Sequence, residues 1–467
     1  MASCRPYKDK NGKITSYQIR VSGGSDVSGK KIMYTKTWKV PKTYKSEKAI
    51  QKALDREAGK FEEACKRHEV TTDKRSFTEY AQYYIDLATR DNKQRSIDFY
   101  NTLLPRINES IGNIQLSKLT AKDLNELYLN LQKEDVRKDK KAVATDYMLK
   151  VKSQKKITHR KLALLSGLAE NTVRIACQQK NIALKSAQKI SDALGIPMDK
   201  AFNVVHSSSK NGLSAKTINH YHTFIHAVLR QAKREGIVTV NVAENATPPR
   251  VKKKEAEFFE VEELLQIRAA LDREPIKYKI MLSILTDTGI RRGELFGLCW
   301  DAIDFKGETI DIKRNVQRSK SKGLYVDTPK GGDYRAISVD PEIIRLLKKY
   351  RAEEYEFKIN IGNPDYNPQG FLFHQENGEN PTDPSSLNHW MKGFEERHNL
   401  PHIYPHKFRH SQASILYAEN IDVITISNRL GHKQVSTTQN IYGHLLKRSD
   451  RKASNAISNV LYRNKAE

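Results

Sequence analysis

Pro405-His406-Lys407-Phe408-Arg409-His410 decides the reading of this chain, together with Leu430-Gly431-His432-Lys433-Gln434-Val435-Ser436-Thr437-Thr438-Gln439-Asn440-Ile441-Tyr442-Gly443-His444 downstream. Residues three apart share one face of a helix, so His406 and Arg409 are expected to point the same way. His432 follows a glycine, which fits a helix end or a tight turn. Tyr442 closes a polar run of Ser, Thr, Gln and Asn. A protonatable ring, a fixed cation and a phenol nucleophile are the parts needed to attack a phosphodiester without a metal. A lone His-x-x-Arg is common, and a lone Tyr near a chain end is usually packing or surface. The ordered set carries the weight.

Two earlier stretches extend that set: Thr288-Gly289-Ile290-Arg291-Arg292-Gly293-Glu294-Leu295 and Thr328-Pro329-Lys330-Gly331-Gly332-Asp333-Tyr334-Arg335. The chain thus offers, in order, Arg291, Lys330, His406, Arg409, His432 and Tyr442. This series resembles the signature of the tyrosine recombinase (phage integrase) family, Arg…Lys…His-x-x-Arg…His…Tyr. The resemblance runs from about Ser76 to Leu446 with one interruption, and no position of the signature is broken.

The resemblance implies a multidomain chain, mainly α-helical with small β-sheets. Residues 1–70 would be a β-sheet-plus-helix arm-binding domain, and residues 75–247 a helical core-binding domain. Residues 248–256 would be a basic linker and residues 257–467 an α+β catalytic domain.

Composition agrees with a nucleic-acid partner. The chain has 467 residues and a net charge of +26, an excess that points first to a polyanion. A basic membrane-surface protein is the weaker reading, because no Lys-rich amphipathic helix with large apolar residues stands out. No run of eighteen apolar residues exists, and the start lacks the apolar stretch of a signal peptide. The expectation is a cytoplasmic bacterial protein, on the nucleoid when bound, with no membrane contact. Cys4, Cys65, Cys177 and Cys299 are scattered and form neither a zinc pattern nor a disulfide framework. No cofactor and no metal are expected.

Residues 1–70 hold 17 Lys and Arg against 8 Asp and Glu. Strands are expected over 14–21 and 31–40 and a helix over 46–68. Amphipathic helices are expected over 96–107, 120–131 and 214–235, the second capped by Thr120. The linker carries Lys252, Lys253 and Lys254, cations suited to a duplex backbone. In the last domain the pattern predicts helices over 259–271 and 278–285, and one carrying Leu295, Leu298 and Trp300. It predicts hairpins over 303–312 and 325–339, the second with Lys330 at its tip, and helices over 341–355 and beyond Pro384.

The interruption is an insert at 137–207. Arg137 to Lys189 contains 14 Lys and Arg against 3 Asp and Glu, a net of +11. Ala163, Gly167 and Val173 have helix-turn-helix spacing: Ala lets two helices approach, Gly makes the turn and Val packs inward. The tail from Ser186 to Phe202 resembles that of a phage-repressor helix-turn-helix domain. Ala176 departs from it, where a larger apolar residue is usual, and leaves the expected recognition helix, 170–179, less firmly anchored. Asn171 and Arg174 are the expected base readers, Asn suiting adenine and Arg guanine. A small helical bundle that binds protein is the other reading of the insert.

The residue types suggest roles. Arg291 and Arg409 can bind phosphate oxygens through planar forks. Tyr442 is the nucleophile, His406 a base or phosphate ligand, Lys330 the acid for the leaving oxygen and His432 a phosphate ligand. Glu294 would orient Arg291. By resemblance, Tyr442 forms a 3′-phosphotyrosine, and four protomers complete the exchange through a Holliday junction. The implied partners are double-stranded DNA (the attachment sites of an element and its target), a homo-tetramer on that DNA, and an excisionase or DNA-bending accessory protein. A type IB topoisomerase shares the nucleophile chemistry but needs no extra DNA modules. A regulator that has lost catalysis needs no intact series.

Overall fold

The computed structural model describes the chain apart from residues 1, 10–11, 26–28, 42, 45, 68–69, 71–72, 134–140, 206–211, 253–255, 330–333, 443–456, 459–460 and 462–467. It divides into two units, Met1–Lys252 and Lys253–Glu467. The first opens with three antiparallel strands, β1 (Ser3–Lys8), β2 (Ile14–Ser25) and β3 (Lys31–Lys39), in that order across the sheet. β1 was not expected from sequence. Every one of its residues is exposed, so it carries no alternation of apolar and polar side chains. Helix α1 (Glu47–Lys66) starts where the Ser46 side chain accepts from the Ala49 N–H. It buries Leu54, Ala58, Phe61 and Cys65 against Ile19 and Val21 of β2.

Next come α2 (Phe77–Ala88), α3 (Gln94–Ile111) and α4 (Ala121–Gln132). Ser76 with Glu79 and Thr120 with Asp123 form reciprocal caps that satisfy the first free N–H groups of α2 and α4. α3 runs past the expected end at residue 107 and contains Pro105.

The insert follows as β4 (Lys141–Ala144), α5 (Asp146–Gln154), α6 (His159–Ser166), α7 (Glu170–Cys177), β5 (Ile182–Ala183), α8 (Leu184–Leu194), α9 (Met198–Ala201) and β6 (Phe202–Val205). Its three strands make a sheet in the order β5-β4-β6. The helical reading of the insert therefore needs correction to α+β. Strands of two to four residues are too short to show a period of two. Ala176 is fully buried within this core, so the small side chain marks close packing of α7.

The host resumes with α10 (Ala215–Arg234), capped by Ser214. Phe77, Tyr80, Ile107, Leu124, Tyr128, Phe224 and Val228 share one core across the insertion. The insert has its own, around Met148, Leu162, Val173, Ile190 and Phe202. At the junction the Leu213 N–H donates to the Leu131 carbonyl at 2.9 Å, so the host chain closes on itself.

The second unit contains α11 (Val261–Leu271), α12 (Ile276–Thr288), α13 (Arg292–Phe296), β7 (Ile303–Asp304), β8 (Thr309–Ile312), β9 (Asn315–Ser319), β10 (Gly323–Asp327), β11 (Arg335–Ser338), α14 (Pro341–Asn360), α15 (Ser385–His398), α16 (Pro405–Ala418), α17 (Val423–Leu430) and α18 (Val435–Tyr442). Trp300 opens a separate 3₁₀ turn and is not in α13. The expected hairpin over 325–339 does not form. β10 pairs with β9, and β11 pairs with β8 in another sheet, ordered β11-β8-β7. Burial explains the choice: Ile337 of β11 lies opposite Ile310 of β8, and both are buried. The segment that holds Lys330 therefore connects two sheets. The core of this unit runs from Ile280, Leu285 and Phe296 through Ile312 and Leu347 to Phe394 and Phe408.

Joining Lys133 directly to Gly212 is expected to leave the host helices folded, because their core and closing hydrogen bond exclude the insert. Circular dichroism should retain a cooperative transition, with Tm moved by no more than about 4 °C, roughly 1 kcal/mol in a unit of this size. Loss of the transition would make the insert part of the host core.

Candidate active site

The last turn of α12 ends at Thr288, and Gly289 takes a left-handed conformation. Such an end leaves carbonyls without helical partners. Side chains from two later helices supply them. Arg409 Nη1 donates to the Gly289 carbonyl at 2.8 Å. Gln412 Nε2 and Arg429 Nη2 donate to the Asp287 carbonyl at 3.1 and 2.9 Å. Capping of one helix thereby pulls α16 and α17 to the start of α13.

Arg291 stands immediately before α13. Its Nη1 donates to Glu294 Oε1 at 2.8 Å, and its backbone N–H donates to Glu294 Oε2 at 3.0 Å. Its Nη2 reaches the Gly431 carbonyl at 3.0 Å. Glu294 is fully buried. It also accepts from Arg335 Nη2 at 2.7 Å. Burial pushes its carboxyl pKa up, but Arg335 and then Arg291 outweigh burial and hold it below the usual carboxylate range.

Arg335 and Arg429 were not picked out from sequence. Arg335 closes the Thr328–Arg335 stretch, yet it looks there like a solvated strand residue. In the fold its Nε donates to the Arg429 carbonyl at 3.0 Å. A Cβ at Gly431 would lie 2.8 Å from this guanidinium, and Gly431 has φ +67°. Only glycine suits the turn at that position.

His406 and Arg409 lie one turn apart at the start of α16. Arg409 is buried, while His406 stays open to solvent. The protein around His406, then Arg409, Arg291 and Arg292, lower its pKa. His410 is pushed down to about 4 by burial, then His406 and Arg409. His432 follows Gly431, and its Nδ1 shares a 2.8 Å hydrogen bond with Thr438 Oγ1. Burial first, then Arg409, Arg291, His410 and Arg335, push its pKa down to about 4. The three rings are therefore neutral at pH 7 among fixed cations.

Of the residues expected in the site, the structure gathers Arg291, Glu294, His406, Arg409 and His432. Tyr442 ends α18, but its side chain lies outside the described residues, as does Lys330. Lys253 and Lys254 are also outside them, and Lys252 is exposed. Asn171 and Arg174 belong to the other unit, on the exposed face of α7. Among the described residues, no three His, Cys, Asp or Glu side chains gather as a metal site. The buried guanidinium of Arg409 and the half-buried one of Arg291, beside neutral rings, can hold an oxyanion by charge-assisted hydrogen bonds.

Residues 257–449 match the phage integrase family. The tyrosine recombinase XerC-like protein of Caldanaerobacter subterraneus subsp. tengcongensis is 27% identical over 289 residues, spanning 58% of this chain and 72% of that protein. The ICEBs1 integrase of Bacillus subtilis is 26% identical over 253 residues, spanning 54% of this chain and 68% of that protein. The fold is that of the Tn1549 transposon integrase, solved in complex with a circular intermediate DNA. That structure aligns with a TM-score of 0.54 at 16% identity, over 82% of this chain and 99% of the other. Among the described residues, no helix is long and apolar enough to cross a membrane. The site of α12, α13, α16 and α17 thus lies within the region that matches the phage integrase family, and over that region the chain is similar to tyrosine recombinases.

Proposed function

We propose that this protein is a site-specific DNA recombinase, the integrase of a mobile element, acting in integration and excision. The observation that carries the reading is the grouping of Arg291 and Arg409 with neutral His406 and His432, next to the helix that ends in Tyr442. The Tyr442 oxygen attacks phosphorus and forms a 3′-phosphotyrosine, while the bond from phosphorus to the 5′-oxygen breaks. His406 accepts the phenolic proton or hydrogen-bonds the phosphate, and Lys330 gives a proton to the departing 5′-oxygen. Arg291 and Arg409 take up the charge that grows on the nonbridging oxygens, the role metal ions fill elsewhere. His432 hydrogen-bonds the same phosphate.

The 5′-hydroxyl of another strand then attacks the phosphotyrosine and releases Tyr442. One ester is exchanged for another at each step, so neither ATP nor a metal is required. Four protomers on paired attachment sites complete the exchange through a Holliday junction, with an excisionase or DNA-bending protein setting direction. Residues 1–70 bind arm sites, 75–247 the core site, and Lys252, Lys253 and Lys254 the phosphates between domains. The protein works on nucleoid DNA in the bacterial cytoplasm.

Tyr442→Phe is expected to abolish the covalent adduct with a duplex from the element's end while leaving affinity nearly unchanged, because one hydroxyl is lost and little surface. A denaturing gel and a binding titration read the two effects. Persistent adduct would assign the attack to another residue.

Lys330→Ala should slow cleavage by on the order of 10²- to 10⁴-fold on a normal linkage. It should have much less effect when sulfur replaces the leaving 5′-oxygen, since a thiolate departs without a proton. Equal slowing on both substrates would remove Lys330 as the acid.

The His432 pKa of about 4 also fixes a pH window. The ordinary value is near 6.5. The unfolded chain therefore takes up the proton first as pH falls. Stability is complete above pH ~6.5 and is lost progressively down to pH ~4. Denaturation midpoints at pH 7.0, ~5.5 and ~4.5 should fall more for the wild type than for His432→Gln. Parallel decreases would place the loss elsewhere.

A further inference from the structure

The insert, β4 to β6, supplies no part of the chemistry above. Its core shares no residue with the host core. Its two ends lie side by side, Lys141 opposite Val205 and Ala144 opposite Phe202. It is a closed module attached at two adjacent points, and such a module is retained for what its surface does.

That surface is built around α6 and α7. α6 ends at Gly167 in the left-handed conformation, and the Leu168 N–H returns to the Ala163 carbonyl at 3.0 Å. Ala163 of α6, with Val173 and Ala176 of α7, faces the core. The opposite side of α7 exposes Glu170, Asn171, Arg174 and Gln178. Residues 141–205 hold 12 Lys and Arg against 4 Asp and Glu, a net of +8. Arg160, Lys161, Lys180, Lys185 and Lys189 are exposed.

On the exposed face of α7, Arg174 Nη2 donates to Asn171 Oδ1 at 2.7 Å. The pair spans one helical turn. This bond engages the Asn171 Oδ1 that a bidentate adenine contact would use. A guanidinium steered in this way keeps its planar fork, which matches the O6 and N7 acceptors of guanine.

We infer that the insert is a further double-stranded DNA site, apart from the proposed arm and core sites, in which α7 enters the major groove and Arg174, positioned by Asn171, reads a guanine. The charge of +8 suits a polyanion and opposes docking on a second copy of so basic a chain. The groove of B-form DNA admits a helix, whereas the deep, narrow major groove of double-stranded RNA does not. Leu164 and Leu165 are exposed on α6, but two side chains make a patch too small to mark a protein interface.

The test uses the full chain carrying Tyr442→Phe, so that it rests on binding alone and not on the proposed cleavage. It is bound to a pool of random-sequence duplexes, and the retained duplexes are sequenced. Three unrelated sequence elements are expected, those of residues 1–70, of the host core-binding helices and of the insert, the last with a fixed guanine. Arg174→Ala should remove that guanine preference, a loss of about tenfold to a hundredfold in discrimination, while the other elements persist. Arg174→Lys should not restore it, because a point charge lacks the fork. Asn171→Ala should weaken the same position only, with the double variant no worse than Arg174→Ala alone. Recovery of elements that all four variants retain unchanged, with no guanine preference lost in Arg174→Ala, would overturn the inference and favour a protein partner at Leu164 and Leu165. An effect of Asn171→Ala without one of Arg174→Ala would overturn the assigned roles. Absence of the other elements from every protein would count against the recombinase reading and leave this one standing.

Discussion

One buried carboxylate organises the second unit. Glu294 has no water to solvate it and would be unstable as an ion without cations against it. Arg291 and Arg335 supply them, at 2.8 and 2.7 Å. The same two guanidiniums then bond to the carbonyls of Gly431 and Arg429. A single charge therefore ties the start of α13, the strand β11 and the turn that carries His432. Removing it would leave two cations crowded together, so the carboxylate sets where positive charge can be held for an incoming phosphate.

The imidazoles follow from that arrangement. Burial makes protonation of His406, His410 and His432 unfavourable, and the arginines packed around them act in the same direction. The free protein thus combines permanent cations, which cannot titrate, with rings that remain able to accept or share a proton. A bound phosphodiester would offset the cations and raise the basicity of the rings. In the proposed reaction, substrate charge and proton affinity would be coupled in this way.

The first unit shows how a helical domain carries a second folded module. The host backbone on either side of the insertion is already joined by the bond from Leu213 to Leu131. The insert pairs its own two ends through β4 and β6. Each module thus closes its own ends by backbone hydrogen bonds.

Much of the local structure was legible in the residues themselves. Ser46, Thr120 and Ser214 mark helix starts because their hydroxyls cap free N–H groups, a short-range chemistry. The ordered series from Arg291 to Tyr442 carries the resemblance because the proposed chemistry needs those residue types, and folding gathers Arg291, His406, Arg409 and His432 of that series. The helix, left-handed glycine and helix of the insert followed from Ala163, Gly167 and Val173. What the sequence could not determine depended on partners far along the chain. β1 lacks any apolar rhythm, and β11 leaves β10 for β8 because Ile337 gains burial opposite Ile310. Arg335 resembles an ordinary strand cation until folding places Glu294 beside it. Asn171 and Arg174 read as two independent side chains until the helix sets them in one hydrogen bond. Caps and motifs are encoded within a few residues, whereas ion pairs, sheet partners and the basicity of buried rings arise only when distant segments share the same desolvated space.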